Sequence, residues 1–210
     1  HFCEAPALMA AYRANGDIHA QTASQLFQVP LDSVTKTQRN IAKTVNFGIL
    51  YGQSPYGLSK QLRIARSEAK QLVDAYFNQF PAIRGFIDST IEQARQDGGV
   101  RTLWGRWRAL PDLTSGNRVR RQHAERTAVN TRIQGTAADI MKIAMIAVHD
   151  GLKAFKSQLI IQVHDEVVID VVKAESEAVA QVVVAAMQSA AELKVPLVVD
   201  VAMGDSWQAC

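Results

Sequence analysis

Cysteine is almost missing from this chain of 210 residues, which contains only Cys3 and Cys210, at opposite ends. Two cysteines placed in this way do not show the spacing of metal ligands. Such sparse use of cysteine agrees best with a reducing compartment. The sequence therefore predicts no cysteine-based metal site.

Long apolar runs are missing as well. No run approaches the roughly 20 residues that a membrane helix needs, so we expect no membrane partner. The first residues lack the basic and apolar regions of a signal peptide, and there is no initiator Met. We therefore expect the chain to be a piece of a longer protein. A hydrophobic content of 48% is ordinary for a globular chain of one large or two small domains.

Arginine is missing after Arg132, which makes the charge distribution uneven. Residues 1–132 contain 18 Lys and Arg residues and 10 acidic residues, a balance of +8. Residues 133–210 contain five Lys and ten acidic residues, a balance of −5. A basic part joined to an acidic part suggests a polyanion held near a cation-binding site, although two solvated faces would give the same totals.

The segment 159–170 contains two β-branched runs that flank three polar residues. Such runs predict strands, and the short interruption predicts a tight hairpin with His164, Asp165 and Glu166 at its tip. Adjacent carboxylates repel each other unless they are solvated, separated or neutralised by a cation. Mg²⁺ prefers such oxygen ligands together with phosphates, but acidic residues are also common at solvent-exposed turns. Both interpretations remain open on this segment alone.

In a predicted helix over residues 35–50, every fourth position is occupied by Arg39, Lys43 and Phe47. Tyr51, directly after this helix, continues the same spacing. This spacing makes one stripe about 18 Å long. Cations bind phosphates and aromatic rings stack on bases, so the stripe matches a nucleoside triphosphate lying along the helix. The other interpretation is that the aromatic rings enter the core while the cations reach solvent.

Two further patterns indicate contact with nucleic acid. Segment 101–132 contains eight arginines against two acids, with Trp104 and Trp107 among them, as expected of a backbone contact. Arg126, Asn130 and Gln134 recur every fourth residue and could donate to base acceptors in the minor groove. A solvated basic face and a polar solvent face are the respective alternatives.

The remaining elements are predicted from helix caps and hydrophobic periodicity. Predicted helices cover residues 4–14, 18–27, 35–50, 59–62, 67–80, 83–96, 119–154 (as one or two helices) and 173–193. Strand character covers residues 100–107 with a turn at Gly105, the central hairpin, and a final strand over 197–203. The fold class is therefore α+β, mainly helical in its first half, with an antiparallel sheet covered on one side in its second half.

Together these residues resemble the C-terminal part of the family A DNA polymerases, the bacterial DNA polymerase I group. Residues 39–52, RNIAKTVNFGILYG, are similar to the family's motif B, the helix of the fingers that contacts the incoming nucleotide. Residues 162–166, QVHDE, are similar to its motif C. The stretches 17–19, 102–106 and 134–139 also fit, and the similarity covers essentially the whole chain in the expected order.

This resemblance implies the fingers and most of the palm of a right-hand polymerase. Residues 1–16 would end a palm helix, residues 17–100 would form the fingers, and residues 101–210 would form the palm. The implied reaction is the template-directed addition of a dNTP to a primer 3′-hydroxyl with release of pyrophosphate. The implied partners are primer–template DNA, dNTP and the N-terminal remainder of the polymerase, in the bacterial cytoplasm at the nucleoid.

The resemblance also implies roles for individual residues. Asp165 would bind the two catalytic Mg²⁺ ions, with Glu166 supporting that metal site. The triphosphate would be held by His19, Arg39 and Lys43, and Lys43 would also protonate pyrophosphate. Phe47 would stack near the base and sugar, discriminating against dideoxynucleotides, and Tyr51 would lie at the template base. The DNA contacts would be Arg126, Asn130, Gln134, Gln162 and His164.

Two departures from the family pattern stand out. Motif A, with a second metal-binding Asp and a Glu that excludes ribonucleotides, is expected just upstream of residue 1. The two-metal site is therefore expected to be incomplete here and the isolated piece inactive. Trp107 and Ala109 stand where relatives commonly have Arg and Tyr. The details of the DNA contact predicted for segment 101–132 therefore do not carry over from those relatives.

Two other functions remain open. A single-subunit RNA polymerase would share the palm and a similar fingers helix, and its preference for ribonucleotides would distinguish it. A non-catalytic nucleic-acid-binding fragment would bind DNA in a salt-dependent manner without turnover.

Overall fold

The computed structural model describes all 210 residues as a mainly helical chain with two small antiparallel sheets. The helices are α1 (Pro6–Arg13), α2 (Ile18–Phe27), α3 (Lys36–Leu50), α4 (Pro55–Leu62), α5 (Arg66–Gln79), α6 (Pro81–Asp97), α7 (Arg118–Asn130), α8 (Thr136–Gly151) and α9 (Ser176–Gln188). The strands are β1 (Gly99–Arg101), β2 (Trp107–Ala109), β3 (Gln158–Val163) and β4 (Glu166–Asp170). The predicted α+β fold class is confirmed.

The chain forms two compact units, His1–Ile133 and Gln134–Cys210. The first unit contains α1 to α7 and the hairpin of β1 and β2, and the second contains α8, α9 and the hairpin of β3 and β4. The predicted boundaries of fingers and palm concern a larger polymerase and stay a prediction.

Helix α3 positions the nucleotide-contacting stripe predicted above. Its first turn is closed by a capping box, in which the Gln38 amide donates to Thr35 Oγ1 at 3.2 Å and the Thr35 amide donates to Gln38 Oε1 at 2.9 Å. Its inner face buries Val45 and Ile49 against Tyr76 and other core residues of the first unit. Because that face is committed to the core, the opposite face of α3 is left to solvent.

The second unit is held together by a small core between its two helices and its hairpin. Val148 of α8 and Val183 of α9 are buried there, and Leu159 and Ile169 of the hairpin pack against them. This arrangement covers one face of the hairpin with helices, as predicted. The β1–β2 pair is a separate two-stranded sheet in the first unit.

Helix α4 begins four residues earlier than the predicted start at Ser59. Ser54 caps it by accepting a hydrogen bond from the Gly57 amide at 3.2 Å, and Pro55 occupies its first turn. Proline is well placed at a first helical position because the missing N–H has no intrahelical partner there. The predicted start of this helix at residue 59 was therefore wrong.

The long helical region predicted over residues 119–154 is two helices joined by a π-helical turn, Thr131–Gly135. Such turns are rare and frequently occur at functional sites. The predicted helix 173–193 is shorter at both ends. Glu175, ahead of α9, accepts hydrogen bonds from the Lys156 and Ser157 amides and from the Ser157 hydroxyl, so its carboxylate is tied to the chain before β3.

The final strand predicted over residues 197–203 does not form. Exposure still alternates from Leu197 to Asp200, as in a strand, but no other strand pairs with the segment. The backbone N–H and C=O groups of a strand need a neighbouring strand as hydrogen-bond partner. Alternating side chains alone do not provide one. No helix of the structure combines the length and the apolar character needed to cross a lipid bilayer.

Candidate active site

The first unit has an open groove of about 720 Å³ along the exposed side of α3. It is lined by residues of α3, of the following turn and α4, and by one residue of α7: Lys43, Thr44, Phe47, Gly48, Tyr51, Gly52, Gln53, Ser54, Gly57, Gln61 and Arg126. Three of the four stripe residues therefore border one cavity. The volume suits a small organic ligand.

The two aromatic residues of the stripe face solvent. Phe47 is 43% exposed and Tyr51 is 41% exposed. Their rings stack on each other with centroids 6.1 Å apart and planes 14° from parallel, and the His19 ring lies 5.5 Å from that of Phe47. This excludes the alternative in which the aromatic residues enter the core, because Val45 and Ile49 occupy that face.

The two cations of the stripe differ in what surrounds them. Lys43 is exposed and makes no ion pair within the chain. Arg39 donates from Nε to Asp17 Oδ2 at 2.6 Å. Asp17 also caps α2 by accepting from the amides of His19 and Ala20, each at 3.0 Å. The hydrogen bond from Arg39 lowers the pKa of the Asp17 carboxyl, which keeps it ionised.

His19 lies on α2 beside two polar residues that the sequence did not single out. Asn46 Nδ2 lies 3.0 Å from His19 Nδ1 and 3.1 Å from Thr22 Oγ1. Thr22 is fully buried and Asn46 is 6% exposed. Burial lowers the pKa of His19, and the charges of Arg39 and Lys43 lower it further. The imidazole therefore favours its neutral form.

Gly52 allows Arg126 to reach the groove. It has a φ of +69°, and a Cβ atom there would lie 2.5 Å from Arg126 Cγ. Glycine is the residue that tolerates both a left-handed backbone and so close an approach. The turn after α3 and the helix α7 are thus in direct contact at a point that borders the groove.

The other two members of the predicted minor-groove stripe have different surroundings. Asn130 is half-buried, and its Oδ1 is buried without a hydrogen-bond partner. Gln134 is exposed and lies in the π-helical turn. The prediction that Asn130 and Gln134 share one face assumed the period of an α-helix, which the π-helical turn between them does not have. A buried acceptor without a partner is costly, which makes Asn130 a candidate for ligand contact.

The arginines of segment 101–132 are not one free basic surface. Arg101 donates to the Gly105 carbonyl at 2.9 Å and lies over the Trp107 ring. Arg121 donates to the Ser115 carbonyl at 2.9 Å, and Arg108 donates to Thr131 Oγ1 at 3.2 Å. Several of these side chains therefore stabilise the local fold, which the composition could not reveal.

Among these arginines, Arg132 most clearly serves the local fold and not a contact with nucleic acid. Its guanidinium lies 5.2 Å from the Phe2 ring and 5.6 Å from the Phe86 ring, and burial lowers its pKa. By contrast, Arg118 and Arg120 are exposed, and their guanidinium groups make no hydrogen bond or ion pair within the chain. These two remain available for a phosphate backbone.

The second unit presents the predicted carboxylates at the end of its hairpin. Val163 pairs with Glu166, so the loop itself is the dipeptide His164-Asp165 and Glu166 is the first residue of β4. The prediction that all three residues form the tip is corrected on this point. His164 has a φ of +52°, and histidine is one of the non-glycine residues that enter this region most often.

The hairpin end is held by two hydrogen bonds. Gln162 Nε2 donates to the His164 carbonyl at 2.5 Å, and Trp207 Nε1 donates to Glu166 Oε1 at 3.2 Å. Asp165 is exposed and has no such partner. Carboxylate oxygens are the ligands that Mg²⁺ prefers. However, no group of three or more His, Cys, Asp or Glu residues in the chain is arranged to hold a metal ion.

A profile of DNA polymerase family A matches residues 1–209. The chain belongs to DNA polymerase family A. This family A chain is 46% identical over 209 residues to a protein named DNA polymerase I from Caldicellulosiruptor bescii, which spans 99% of this chain and 25% of that protein. It is 44% identical over 200 residues to thermostable DNA polymerase I from Thermus thermophilus, covering 95% of this chain and 24% of that one.

A solved structure supports the same family from the fold. The POL domain of Pol1 from M. smegmatis, in complex with DNA primer-template and dNTP, matches with a TM-score of 0.96 and 42% identity. The match covers 100% of this family A chain and 37% of the solved chain. This chain thus spans about a quarter of the length of the curated relatives described above.

Proposed function

We propose that this chain is the nucleotide-handling part of a template-directed DNA polymerase that adds dNTPs to a primer 3′-hydroxyl. The observation that carries the proposal is the α3 stripe, whose cation Lys43 and exposed rings Phe47 and Tyr51 border one groove in a chain of DNA polymerase family A. The solved relative holds a DNA primer-template and a dNTP, and the same ligand classes suit the charges and rings described here.

The first unit would bind the triphosphate. Lys43 is an exposed cation without an internal partner, and Arg39 can exchange Asp17 for phosphate oxygens because both partners are exposed enough to separate. His19 would donate from the ring nitrogen that faces away from Asn46. In the reaction, Lys43 would stabilise the charge on the departing pyrophosphate and return a proton to it.

The base and sugar would contact the aromatic part of the same stripe. Phe47 offers an exposed ring face for stacking, and Tyr51 lies one helical turn further on, next to Gly52 and Arg126. A rigid row of rings can test the shape of a base pair, since a misfitting pair would lose stacking area. Arg126, Asn130 and Gln134 would contact the DNA minor groove, and His164 and Gln162 would contact the primer end.

The second unit would supply carboxylates to the metal site. Asp165 would bind the metal ions, and Glu166, fixed by Trp207, would support that charge. Bound Mg²⁺ would neutralise charge on the reacting phosphates and activate the primer hydroxyl. Asp165 would hold the metals in place through its exposed oxygens, and further ligands must come from outside these two residues. A complete metal set and activity of these 210 residues alone are therefore not expected.

The test is single-nucleotide primer extension by a longer polymerase that contains this chain, with each of the four dNTPs and the matching ribonucleotides. The proposal predicts incorporation only of the dNTP complementary to the template base. Incorporation that ignores the template, or a preference for ribonucleotides, would contradict it and favour a different class of nucleotidyltransferase. Salt-dependent DNA binding without any incorporation would favour the non-catalytic alternative.

A further inference from the structure

The buried residues Thr22 and Asn46 form a hydrogen-bonded group beside His19. The hydroxyl of Thr22 donates its single proton to the Ile18 carbonyl at 2.8 Å. Its oxygen is then free to accept, and Asn46 Nδ2 lies 3.1 Å away. Asn46 Oδ1 lies slightly farther from the same hydroxyl oxygen, at 3.3 Å. The shorter contact with the Ile18 carbonyl takes the hydroxyl proton, so Thr22 accepts a hydrogen bond from the NH₂ group of Asn46.

The same amide nitrogen also faces the histidine ring. Asn46 Nδ2 has two protons, and the second points to His19 Nδ1 at 3.0 Å. A ring nitrogen that receives a hydrogen bond must carry a lone pair. The proton of the neutral ring therefore belongs on Nε2, which makes no hydrogen bond within the chain.

The surroundings of His19 favour a neutral ring. Arg39 and Lys43 are the cations that act on it, and Asp17 is the one anion, already paired with Arg39. Burial adds to the effect of the two cations. A neutral ring has two tautomers, so a device that selects one of them matters for what the ring can donate.

We propose that Asn46 is a positioning residue that holds His19 as the Nε2–H tautomer, so that the ring presents a neutral N–H donor to the triphosphate. The proposal rests on the proposed function only for the identity of the acceptor. A donor without charge adds a directed hydrogen bond beside two cations and does not have to titrate when the triphosphate binds. In the other tautomer, Nε2 would direct a lone pair at phosphate oxygens and repel them.

The direct test is NMR of the 210-residue chain without nucleotide, using long-range ¹H–¹⁵N correlations of the histidine rings. The proposal predicts that His19 Nε2 is protonated and Nδ1 is not, above the pKa of the ring. A protonated Nδ1 in the unmodified chain would overturn it. This measurement needs no variant and no ligand, so it is independent of whether the chain binds a triphosphate.

The matched variant is Asn46→Asp, which keeps the shape and replaces the donor with an acceptor. The Thr22 hydroxyl can rotate to donate to the new carboxylate. His19 should then carry its proton on Nδ1, and its pKa should rise because a carboxylate stabilises the imidazolium. Asn78→Asp adds the same charge at an exposed position of α5 and should leave the His19 resonances unchanged. Unchanged ring nitrogens in Asn46→Asp would overturn the proposal.

Binding of inorganic tripolyphosphate gives the functional measurement. In the unmodified chain, the Nε2–H donor persists after the ring loses its charge. In Asn46→Asp, the neutral His19 ring has no proton on Nε2, so this donor is lost as pH rises through the raised His19 pKa. Over that pH range, the affinity for tripolyphosphate should fall by about tenfold more in Asn46→Asp than in the unmodified chain. An identical pH profile in both proteins would overturn the proposal. If the unmodified chain shows the predicted tautomer but binds no tripolyphosphate, the proposed function fails instead.

Discussion

The groove beside α3 and the hairpin of β3 and β4 lie at the two stretches that resemble family motifs, but they differ in how many of their side chains have partners within the chain. Around α3, two hydrogen bonds join α3 to the start of α2, namely Arg39 with Asp17 and Asn46 with His19, and the backbone at Gly52 packs closely against Arg126 of α7. At the hairpin, Asp165 is exposed without a partner, and no third metal-ligating residue joins Asp165 and Glu166. The proposed nucleotide side therefore lies within one unit, whereas the proposed metal side would need groups from elsewhere.

The largest effect is expected from Asp165→Ala in a longer polymerase that contains this chain. Incorporation should fall by about 10³-fold or more, because the carboxylate proposed to hold Mg²⁺ at the reacting phosphates is lost, while duplex binding should change little. Primer extension and DNA titration measure the two quantities. Asp170→Ala, at the exposed far end of β4, is the control and should extend normally. Near-normal extension by Asp165→Ala would remove this residue from the mechanism.

Lys43→Ala should have the next largest effect. The use of dNTP, measured as kcat/KM in primer extension, should fall by about 10²-fold because an exposed cation beside the phosphates is lost. DNA binding should be largely kept. Lys36→Ala removes the same charge from the first residue of α3 and serves as the control. Equal losses of dNTP use and DNA binding would count against a triphosphate role for Lys43.

Gly52→Ala tests how far the groove depends on its backbone. A Cβ atom at this positive φ would strain the turn and press on Arg126, so we expect a loss of about 1–3 kcal/mol in the free energy of unfolding. Gly85→Ala is the matched control, since no atom lies within 4 Å of a Cβ there, and it should stabilise α6 by about 0.5–1 kcal/mol. Thermal unfolding of both variants should therefore shift in opposite directions, and shifts of the same sign would contradict the account.

Asp17→Asn should have the smallest effect and the most specific one. Asparagine still caps α2, but Arg39 loses its internal anion, so tripolyphosphate should bind a few-fold more tightly. The carboxylate has a lowered pKa in the folded chain. Its contribution to stability is therefore present above its ordinary pKa of 3.8 and is lost as pH falls through the folded value.

Chemical unfolding at several pH values tests this last point. The stability difference between the unmodified chain and Asp17→Asn should be present near neutral pH and should vanish in acid. A difference that grows as pH falls would mean that Asp17 is not the ionised partner of Arg39.

Helix α3 and the hairpin were predictable because their signals are local. Thr35 and Gln38 mark the helix start, and the four-residue spacing from Arg39 to Tyr51 needs no knowledge of the rest of the fold. The β-branched runs around Asp165 have the same local character. The sequence left open which face of α3 packs against the core, so the exposure of the stripe became known only from the structure.

Other features depend on contacts distant in sequence. The network of Thr22, Asn46 and His19 joins α2 to α3, and no spacing within either helix reveals it. The structural role of Arg132 requires Phe2, which is 130 positions away by the numbering. The segment after Pro196 has the alternation of a strand, but a strand forms only where a partner exists. The π-helical turn after Asn130 breaks the 3.6-residue period on which the prediction of that stripe relied.

The most direct test of the central claim is single-nucleotide primer extension with Mg²⁺, comparing these 210 residues alone with a longer polymerase chain that contains them. Tripolyphosphate binding by both proteins is measured alongside. The account predicts that both bind tripolyphosphate and that only the longer chain extends the primer, because the metal side is incomplete in these residues. Extension by the 210 residues alone would contradict that account.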